Sequence, residues 1–186
     1  MTTMNTPYLK DIIDSKILNT RKVFLWGQVD DDSAKHVIER LLYLDLVSSS
    51  KEIQLFINSP GGYVTAGFAI YDTMKSITSP VSTICTGYAA SMGSILLSAG
   101  AEGRRFVLPH ARVMIHQPSG GAQGVASDME INLREMLKLK KELYDIISAH
   151  SGQSYEWVEK ASDRDYWMTS TEAKEFGMVD EVLEKK

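Results

Sequence analysis

Residues 86–94 hold a serine in a setting that suits a nucleophile. Ser91 follows an apolar, β-branched run at 81–85 and precedes residues 95–99, which are typical of the first turns of an apolar helix. At such a strand-to-helix turn, unpaired N–H groups and the helix dipole can stabilise an oxyanion. The pattern Ala89-Ala90-Ser91-Met92-Gly93 is a relaxed form of the G-x-S-x-G elbow, although serine is also an ordinary helix N-cap.

A nucleophilic serine needs a general base, and the sequence offers four histidines. His116 is the favoured base because it ends the apolar run Val113-Met114-Ile115, and a histidine at a strand terminus can point into a cleft. The others fit less well. His36 lies on the polar side of an early helix, His110 lies in a turn, and His150 lies at a helix C-terminus, where a cation is favoured.

The site would also need a carboxylate that orients the base and an oxyanion hole. Asp163 and Asp165 are both candidates for the carboxylate, in a segment that we expect to be a loop, and periodicity does not choose between them. The oxyanion hole would use the backbone N–H of Gly61 or Gly62, together with that of Met92. Glycine allows the backbone to approach a substrate closely.

The elements around these residues alternate between strands and helices. Strands are predicted at 23–27, 53–57 and 81–85, and helices at about 30–46, 64–77 and 91–99, after a helical spacing at 9–17. This order predicts an α/β domain of repeated β-α-β units, with a mostly parallel sheet covered by helices. Segments 58–62 and 86–93 both follow strands, so we expect them to meet at the ligand-binding edge of the sheet.

The second half predicts short strands at 104–108 and 112–115, a Gly-rich excursion at 118–124, and a long helix. This helix should run from Ser127 or Asp128 to about His150, with its apolar residues on one face. It either packs on another subunit or serves as an ordinary amphipathic core helix. Short helices at 155–160 and 172–176 and a closing segment at 178–183 complete the prediction.

The composition describes an acidic protein with one core. The 186 residues are 44% hydrophobic and carry a net charge of −4 without a basic stripe, so we do not expect a nucleic-acid partner. Cys85 lies in an apolar run, where we expect it to be buried, and a single cysteine suits a reducing compartment. Because we find neither a signal-peptide pattern nor an apolar stretch of about 20 residues, we expect a cytoplasmic protein without membrane contact.

Several motifs occur in this sequence at spacings that match one enzyme family. The first three are Asn58-Ser59-Pro60-Gly61-Gly62 with Thr65-Ala66-Gly67, then Ala89-Ala90-Ser91-Met92-Gly93, then Met114-Ile115-His116-Gln117-Pro118. The C-terminal third adds Asp163-Arg164-Asp165-Tyr166-Trp167-Met168, Glu172-Ala173 and Gly177-Met178-Val179-Asp180. From about Val23 to Leu183 the chain resembles the proteolytic subunit of the Clp protease, and this joint match is far more specific than any single motif.

The resemblance implies the crotonase-like α/β fold of that family and a serine endopeptidase that cleaves unfolded polypeptides to short peptides. It implies Ser91 as nucleophile, His116 as general base and Asp165 as orienting carboxylate. It favours the amides of Gly62 and Met92 as oxyanion donors, with Gly61 as a further candidate. It implies neither a cofactor nor a metal.

The resemblance also implies an assembly. Two stacked seven-membered rings would enclose a chamber, and a hexameric AAA+ ATPase would thread substrates into it. Within a single peptidase domain at 23–186, a strand and helix at 117–150 would protrude as a handle that joins the rings, and residues 1–22 would form an axial segment. The implied ring-to-ring contacts are Arg134, Glu135, Asp163 and Arg164.

Two features depart from the family pattern. Residues 1–22 lack the usual Arg-Gly-Glu-Arg-type stretch. Positions 54 and 76, which often carry aromatics in the pocket for the ATPase's docking loop, are Gln54 and Ser76, although Phe56 and Phe106 remain. A polar replacement can remove about 1–3 kcal/mol of apolar contact per site. We hypothesise that this chain docks its ATPase poorly and works in a mixed complex with a second, more typical subunit.

Two other interpretations stay open. Crotonase-like acyl-CoA enzymes share the fold and use paired amides as an oxyanion hole, but they work with carboxylates, and Ser91 with His116 argues against that class. The second alternative is a subunit of a mixed complex that is silent until a partner aligns its triad. An active subunit and a silent one would both contain Ser91, His116 and Asp165.

Overall fold

The predicted alternation of strands and helices is confirmed in the first half of the chain. The computed structural model describes residues 6–121 and 123–184. Its first half consists of α1 (Thr6–Asn19), β1 (Lys22–Trp26), α2 (Asp31–Val47), β2 (Ile53–Ser59), α3 (Val64–Ser76), β3 (Val81–Ala90) and α4 (Met92–Ser98). The axial segment expected at 1–22 therefore contains α1, and its first five residues lie outside the described part.

The second half contains one strand that the sequence did not indicate. Its elements are β4 (Arg105–Val107), β5 (Arg112–Ile115), α5 (Ala126–Ser151), α6 (Tyr155–Ala161), β6 (Tyr166–Thr169), α7 (Ser170–Phe176) and β7 (Glu181–Val182). The segment expected to be a loop thus becomes β6 from Tyr166 onward, because it pairs antiparallel with β5. The expected handle strand is absent from the described residues between 117 and 125, which are irregular, whereas the handle helix is present as α5.

The sheet is mostly parallel, as predicted, and its central strand β3 pairs with β2, β4 and β5. The main order is β1-β2-β3-β4-β7, and β5 pairs in parallel with the C-terminal part of β3. Ala89 thereby lies between Ser59 of β2 and Val113 of β5. The ends of these three strands meet where Ser91 begins the turn into α4, so the sheet itself assembles the predicted edge.

The core lies between this sheet and the helices that cover it. Alternate residues of β2, namely Ile53, Leu55 and Ile57, are completely buried, as expected for a strand with one face toward the core. Cys85 is also completely buried, which confirms the expectation, and burial raises the pKa of its thiol to about 12. Within the described residues, no helix is both long and apolar enough to cross a membrane.

The helix ends follow the capping residues of the sequence. Asp30 caps α2 in a capping box with Ser33, and Thr169 caps α7 in a second capping box with Glu172. Gly177 ends α7 in the left-handed conformation at φ 94°, where a Cβ would lie 2.1 Å from the Ser151 carbonyl oxygen. Glycine is therefore required there by both the φ angle and the close approach of α5.

His150 corrects one expectation from the sequence. The position favours a charged histidine at this helix C-terminus, but burial, followed by the positive charges of Lys75 and Arg105, lowers the pKa of His150 to about 4. Its Nε2 lies 3.1 Å from the Tyr71 hydroxyl, and its carbonyl accepts a hydrogen bond from Arg105 at 2.7 Å. His150 is thus a neutral histidine that joins α5 to α3.

Acidification is expected to destabilise the protein through His150. The unfolded chain binds a proton at the ordinary histidine pKa of 6.5, whereas the folded chain resists protonation until about 4. As the pH falls through this window, the unfolded state is protonated first, so the free energy of unfolding falls by about 1–3 kcal/mol. Urea unfolding at several pH values should show this decrease in the wild type and in the exposed control His110→Gln, but not in His150→Gln. The same decrease in all three proteins would contradict the assignment.

Candidate active site

Ser91 occupies a strained turn rather than a regular helix cap. Its φ of 52° and ψ of −124° place a non-glycine residue in a sparsely populated backbone region, as is common where strain serves function. Its backbone N–H donates to the Met114 carbonyl of β5 at 2.9 Å, which holds the turn against the sheet. Its side chain makes no capping hydrogen bond to α4, so the capping interpretation does not account for this serine.

Ser91, His116 and Asp165 form a continuous hydrogen-bonded row. His116 Nε2 lies 2.9 Å from Ser91 Oγ, and His116 Nδ1 lies 2.9 Å from Asp165 Oδ1. With its proton on Nδ1, the imidazole donates to Asp165 and accepts from the serine hydroxyl. This arrangement can remove the serine proton and stabilise the imidazolium that results.

The pairing of β5 with β6 explains why this base meets this carboxylate. His116 follows directly after Ile115, and Asp165 directly precedes Tyr166, which is the antiparallel partner of Ile115. The two side chains therefore emerge opposite each other at one end of the ladder. Of the two aspartates left open by periodicity, Asp163 points elsewhere, since its carboxylate is 73% exposed and lies 3.9 Å from Arg164 Nε.

The other histidines lie away from this row. The exposed His36 of α2 contacts Arg40, with 2.9 Å between Arg40 Nη1 and His36 Nδ1. His110 is exposed in the turn between β4 and β5, as expected. His150 contacts Tyr71 at the far end of α5.

Backbone amides beside Ser91 form the candidate oxyanion site. The Gly61 N–H donates to Ser59 Oγ at 3.1 Å, so this amide is already engaged. The Gly62 N–H takes no part in the bridge to Val29, which uses the Gly61 carbonyl and the Tyr63 N–H. Within the described residues, neither Gly62 nor Met92 donates its N–H to a protein acceptor. These two amides therefore remain available to an oxyanion, whereas no sequence pattern indicates that Ser59 engages Gly61.

Gly61 has no room for a side chain. A Cβ at this position, where φ is 86°, would lie 2.7 Å from both the Ala90 carbonyl oxygen and Ser91 Cβ. It would also lie 2.8 Å from the Met92 nitrogen. The Pro60-Gly61-Gly62 turn thus packs directly against the serine turn, with Gly61 beside the Met92 amide.

Comparison with known proteins places this chain in a family. A family model described as "Clp protease" matches residues 6–186. The chain belongs to the Clp protease family. It is 62% identical over 172 residues to the ATP-dependent Clp protease proteolytic subunit of Bacteroides fragilis, covering 92% of this chain and 83% of that protein. The subunits of the same name from Porphyromonas gingivalis and Bacteroides thetaiotaomicron are 59% and 61% identical, over 92% of this chain and 77% and 78% of theirs.

An apolar cavity lies next to Ser91 in this Clp protease chain. It reaches from the serine turn to α5, and its apolar lining residues are Val64, Met92, Ile95, Ile115, Pro118, Leu143 and Ile147. Leu143 and Ile147 belong to the part of α5 that packs on the core. The wall of this cavity beside the serine is therefore mostly hydrocarbon.

The N-terminal half of α5 projects from the core of this Clp protease chain. Arg134 pairs with Glu130 at 2.9 Å, and Glu135 pairs with Lys138 at 3.0 Å, all on the helix surface. Four apolar residues of this half are exposed as well, namely Met129, Ile131, Leu133 and Leu137. Apolar residues exposed together in this way are typical of a surface that another chain covers.

A groove carries two of the aromatics named above. Phe56 and Phe106 line it together with Gln54, and the Arg104–Glu52 ion pair, at 3.4 Å, closes one side. Ser76 lies outside the lining of this groove, at the end of α3, where its hydroxyl donates to the Thr73 carbonyl. Of the two departures from the family pattern, only Gln54 makes this groove more polar within the single chain.

Proposed function

We propose that this chain is a serine endopeptidase that works as the proteolytic subunit of an ATP-dependent Clp protease. The observation that carries the proposal is the row Ser91–His116–Asp165, with 2.9 Å at each hydrogen bond. The names of the relatives at 59–62% identity support the same activity. Neither a cofactor nor a metal is required by this chemistry.

The reaction would be acyl transfer in two steps. His116 Nε2 takes the proton of the Ser91 hydroxyl while Oγ attacks the peptide carbonyl, and the amides of Gly62 and Met92 donate to the developing oxyanion. His116 then gives this proton to the leaving amine, and an acyl-enzyme remains. Water, activated by the same imidazole, releases the second product and restores Ser91. Asp165 keeps the imidazole in the required tautomer throughout.

The cavity beside Ser91 predicts a preference for an apolar residue before the scissile bond. Burying a leucine side chain against Leu143 and Ile147 is favourable, whereas a glutamate there would lose its hydration. We expect kcat/KM to be at least about tenfold higher for a fluorogenic peptide with leucine before the bond than for its glutamate counterpart. Leu143→Asp should lower the ratio of kcat/KM for the leucine peptide to kcat/KM for the glutamate peptide. Equal kcat/KM for both peptides in the wild type would contradict the assignment of the cavity.

The proposed assembly is two stacked seven-membered rings around a chamber, located in the cytoplasm. The exposed apolar residues on the projecting half of α5 support a role for this helix as the handle between the rings. The proposed ring-to-ring contacts are Arg134, Glu135, Asp163 and Arg164. All four side chains are exposed and charged, the first two on α5 and the other two directly before Asp165. A hexameric AAA+ ATPase would supply unfolded polypeptide.

Gln54 is expected to weaken docking of that ATPase at the groove with Phe56 and Phe106. Gln54→Tyr would restore apolar contact and should tighten ATPase binding by about 5–100-fold, measured by interferometry on the assembled protein. Peptide hydrolysis without the ATPase should be unchanged. Tight binding to the unmodified homo-oligomer would refute both the weak docking and the mixed complex that we infer from it.

The peptidase activity itself is tested with the purified chain and a short fluorogenic peptide, read together with the native mass. Hydrolysis by a ring-sized particle would support the proposal. A ring-sized particle without activity would favour the partner-activated alternative, and candidate second subunits would then be added. An acyl-CoA enzyme of the crotonase type would hydrolyse no peptide and would not need Ser91.

A further inference from the structure

A glutamine next to the proposed base is hydrogen-bonded to the loop that carries Asp165. The backbone N–H of Gln117 donates to the Ser162 carbonyl at 2.6 Å, and its side-chain Nε2 donates to the Asp163 carbonyl at 2.9 Å. Gln117 directly follows His116 in the chain. One residue thus connects the base to the backbone that positions its orienting carboxylate.

The position of the Asp165 side chain depends on its backbone, because few contacts hold the side chain itself. Its side chain is 61% exposed, and in the described part of the chain its carboxylate contacts His116 as its one hydrogen-bond partner. An exposed carboxylate can exchange a protein partner for water at little cost. Its place on His116 therefore depends on how firmly the backbone of residues 163–165 is held.

The two ends of this loop are anchored, and Gln117 acts between them. Ser162 is completely buried, and its N–H donates to the Val158 carbonyl at the end of α6. On the other side, Tyr166 is fixed by its pairing with Ile115. Because Pro118 follows, the backbone of Gln117 favours extended conformations, which helps to keep its two hydrogen bonds to the loop in place.

We propose that Gln117 is a positioning residue for the reaction described above. Its side-chain amide holds the Asp163 carbonyl, which keeps the Asp165 carboxylate on His116 Nδ1. This inference rests on the proposed function, since it assigns a role within the same site. Gln117 acts through Asp165 and not on the reacting atoms.

The test is a double-mutant cycle on the assembled protein. Gln117→Met keeps the length of the side chain but removes the donor, and it should lower kcat by about 10–100-fold with KM changed by less than about twofold. In an Asp165→Asn background the same substitution should change the rate by less than about twofold, because the carboxylate on which it acts is already gone. Slow variants are followed by the rate at which a fluorophosphonate labels Ser91.

Gln153→Met is the matched control, because Gln153 Nε2 also donates to a backbone carbonyl, that of Phe176, at 3.0 Å but far from the site. It should lower the melting temperature and leave kcat unchanged. If Gln117→Met does not fold, Gln117→Glu removes the donor with the shape retained. Equal losses in both backgrounds, or no loss in the single variant, would overturn the inference. A wild type without hydrolysis or labelling would overturn the proposed function, and this inference with it.

Discussion

Ser91→Ala is expected to lower kcat for peptide hydrolysis by about 10⁵–10⁶-fold. Alanine removes the only atom that forms the bond to the substrate, and His116 then has no hydroxyl to deprotonate. The loss should appear in kcat, because the apolar cavity and the amides of Gly62 and Met92 remain to bind substrate. A fluorogenic peptide assay over a range of substrate concentrations separates kcat from KM.

The control for this substitution is Ser98→Ala, at the end of the short helix α4 that follows Ser91. Ser98 is a completely buried serine whose hydroxyl donates to the Ile95 carbonyl at 2.9 Å, away from the triad. It should retain most of the activity at the cost of some stability. Full activity in Ser91→Ala, or an equal loss in Ser98→Ala, would exclude Ser91 as the nucleophile.

Asp165→Asn is expected to lower kcat by about 10²–10⁴-fold. The asparagine amide can donate to His116 Nδ1, which would leave the imidazole with its proton on Nε2 and unable to accept from Ser91. Because the Asp165 side chain is 61% exposed, water can replace part of its role, so we place the effect below that of Ser91→Ala.

The matched control for Asp165→Asn is Asp72→Asn, at an exposed aspartate on α3 away from the triad. Both proteins should keep the native mass and melting temperature of the wild type. Only Asp165→Asn should lose activity. A variant Asp165→Asn with wild-type kcat would mean that the 2.9 Å contact to His116 is not used in the reaction.

The sequence was most informative where local chemistry decides the structure. The order of strands and helices in the first half, the caps at Asp30 and Thr169, and the burial of Cys85 follow from short-range patterns of apolar, small and capping residues, whereas β2 and β3 run on to Ser59 and Ala90, beyond the predicted ends at 57 and 85. The serine and its base were predicted on the same grounds, because each lies just after a buried strand. Choosing Asp165 over Asp163 required the family resemblance.

The features that the sequence did not reveal arise from contacts between distant segments. Strand β6 forms because β5 lies beside it, and no alternation in Tyr166-Trp167-Met168-Thr169 indicates this pairing. Gly61 loses its free amide to a serine two residues earlier, which depends on the shape of one turn. The pKa of His150 is lowered first by burial and then by the positive charges of Lys75 and Arg105, which come from elements distant in the chain.

Covalent labelling of the assembled wild-type protein with a fluorophosphonate, followed by intact mass and peptide mapping, tests most directly whether Ser91 is an activated nucleophile. This reagent reacts with a serine whose proton is removed by a neighbouring base. We predict one label per chain, located on Ser91, and loss of labelling in His116→Ala. An unlabelled Ser91 in a correctly assembled particle, or a label on another serine, would contradict the proposal that Ser91, His116 and Asp165 work together.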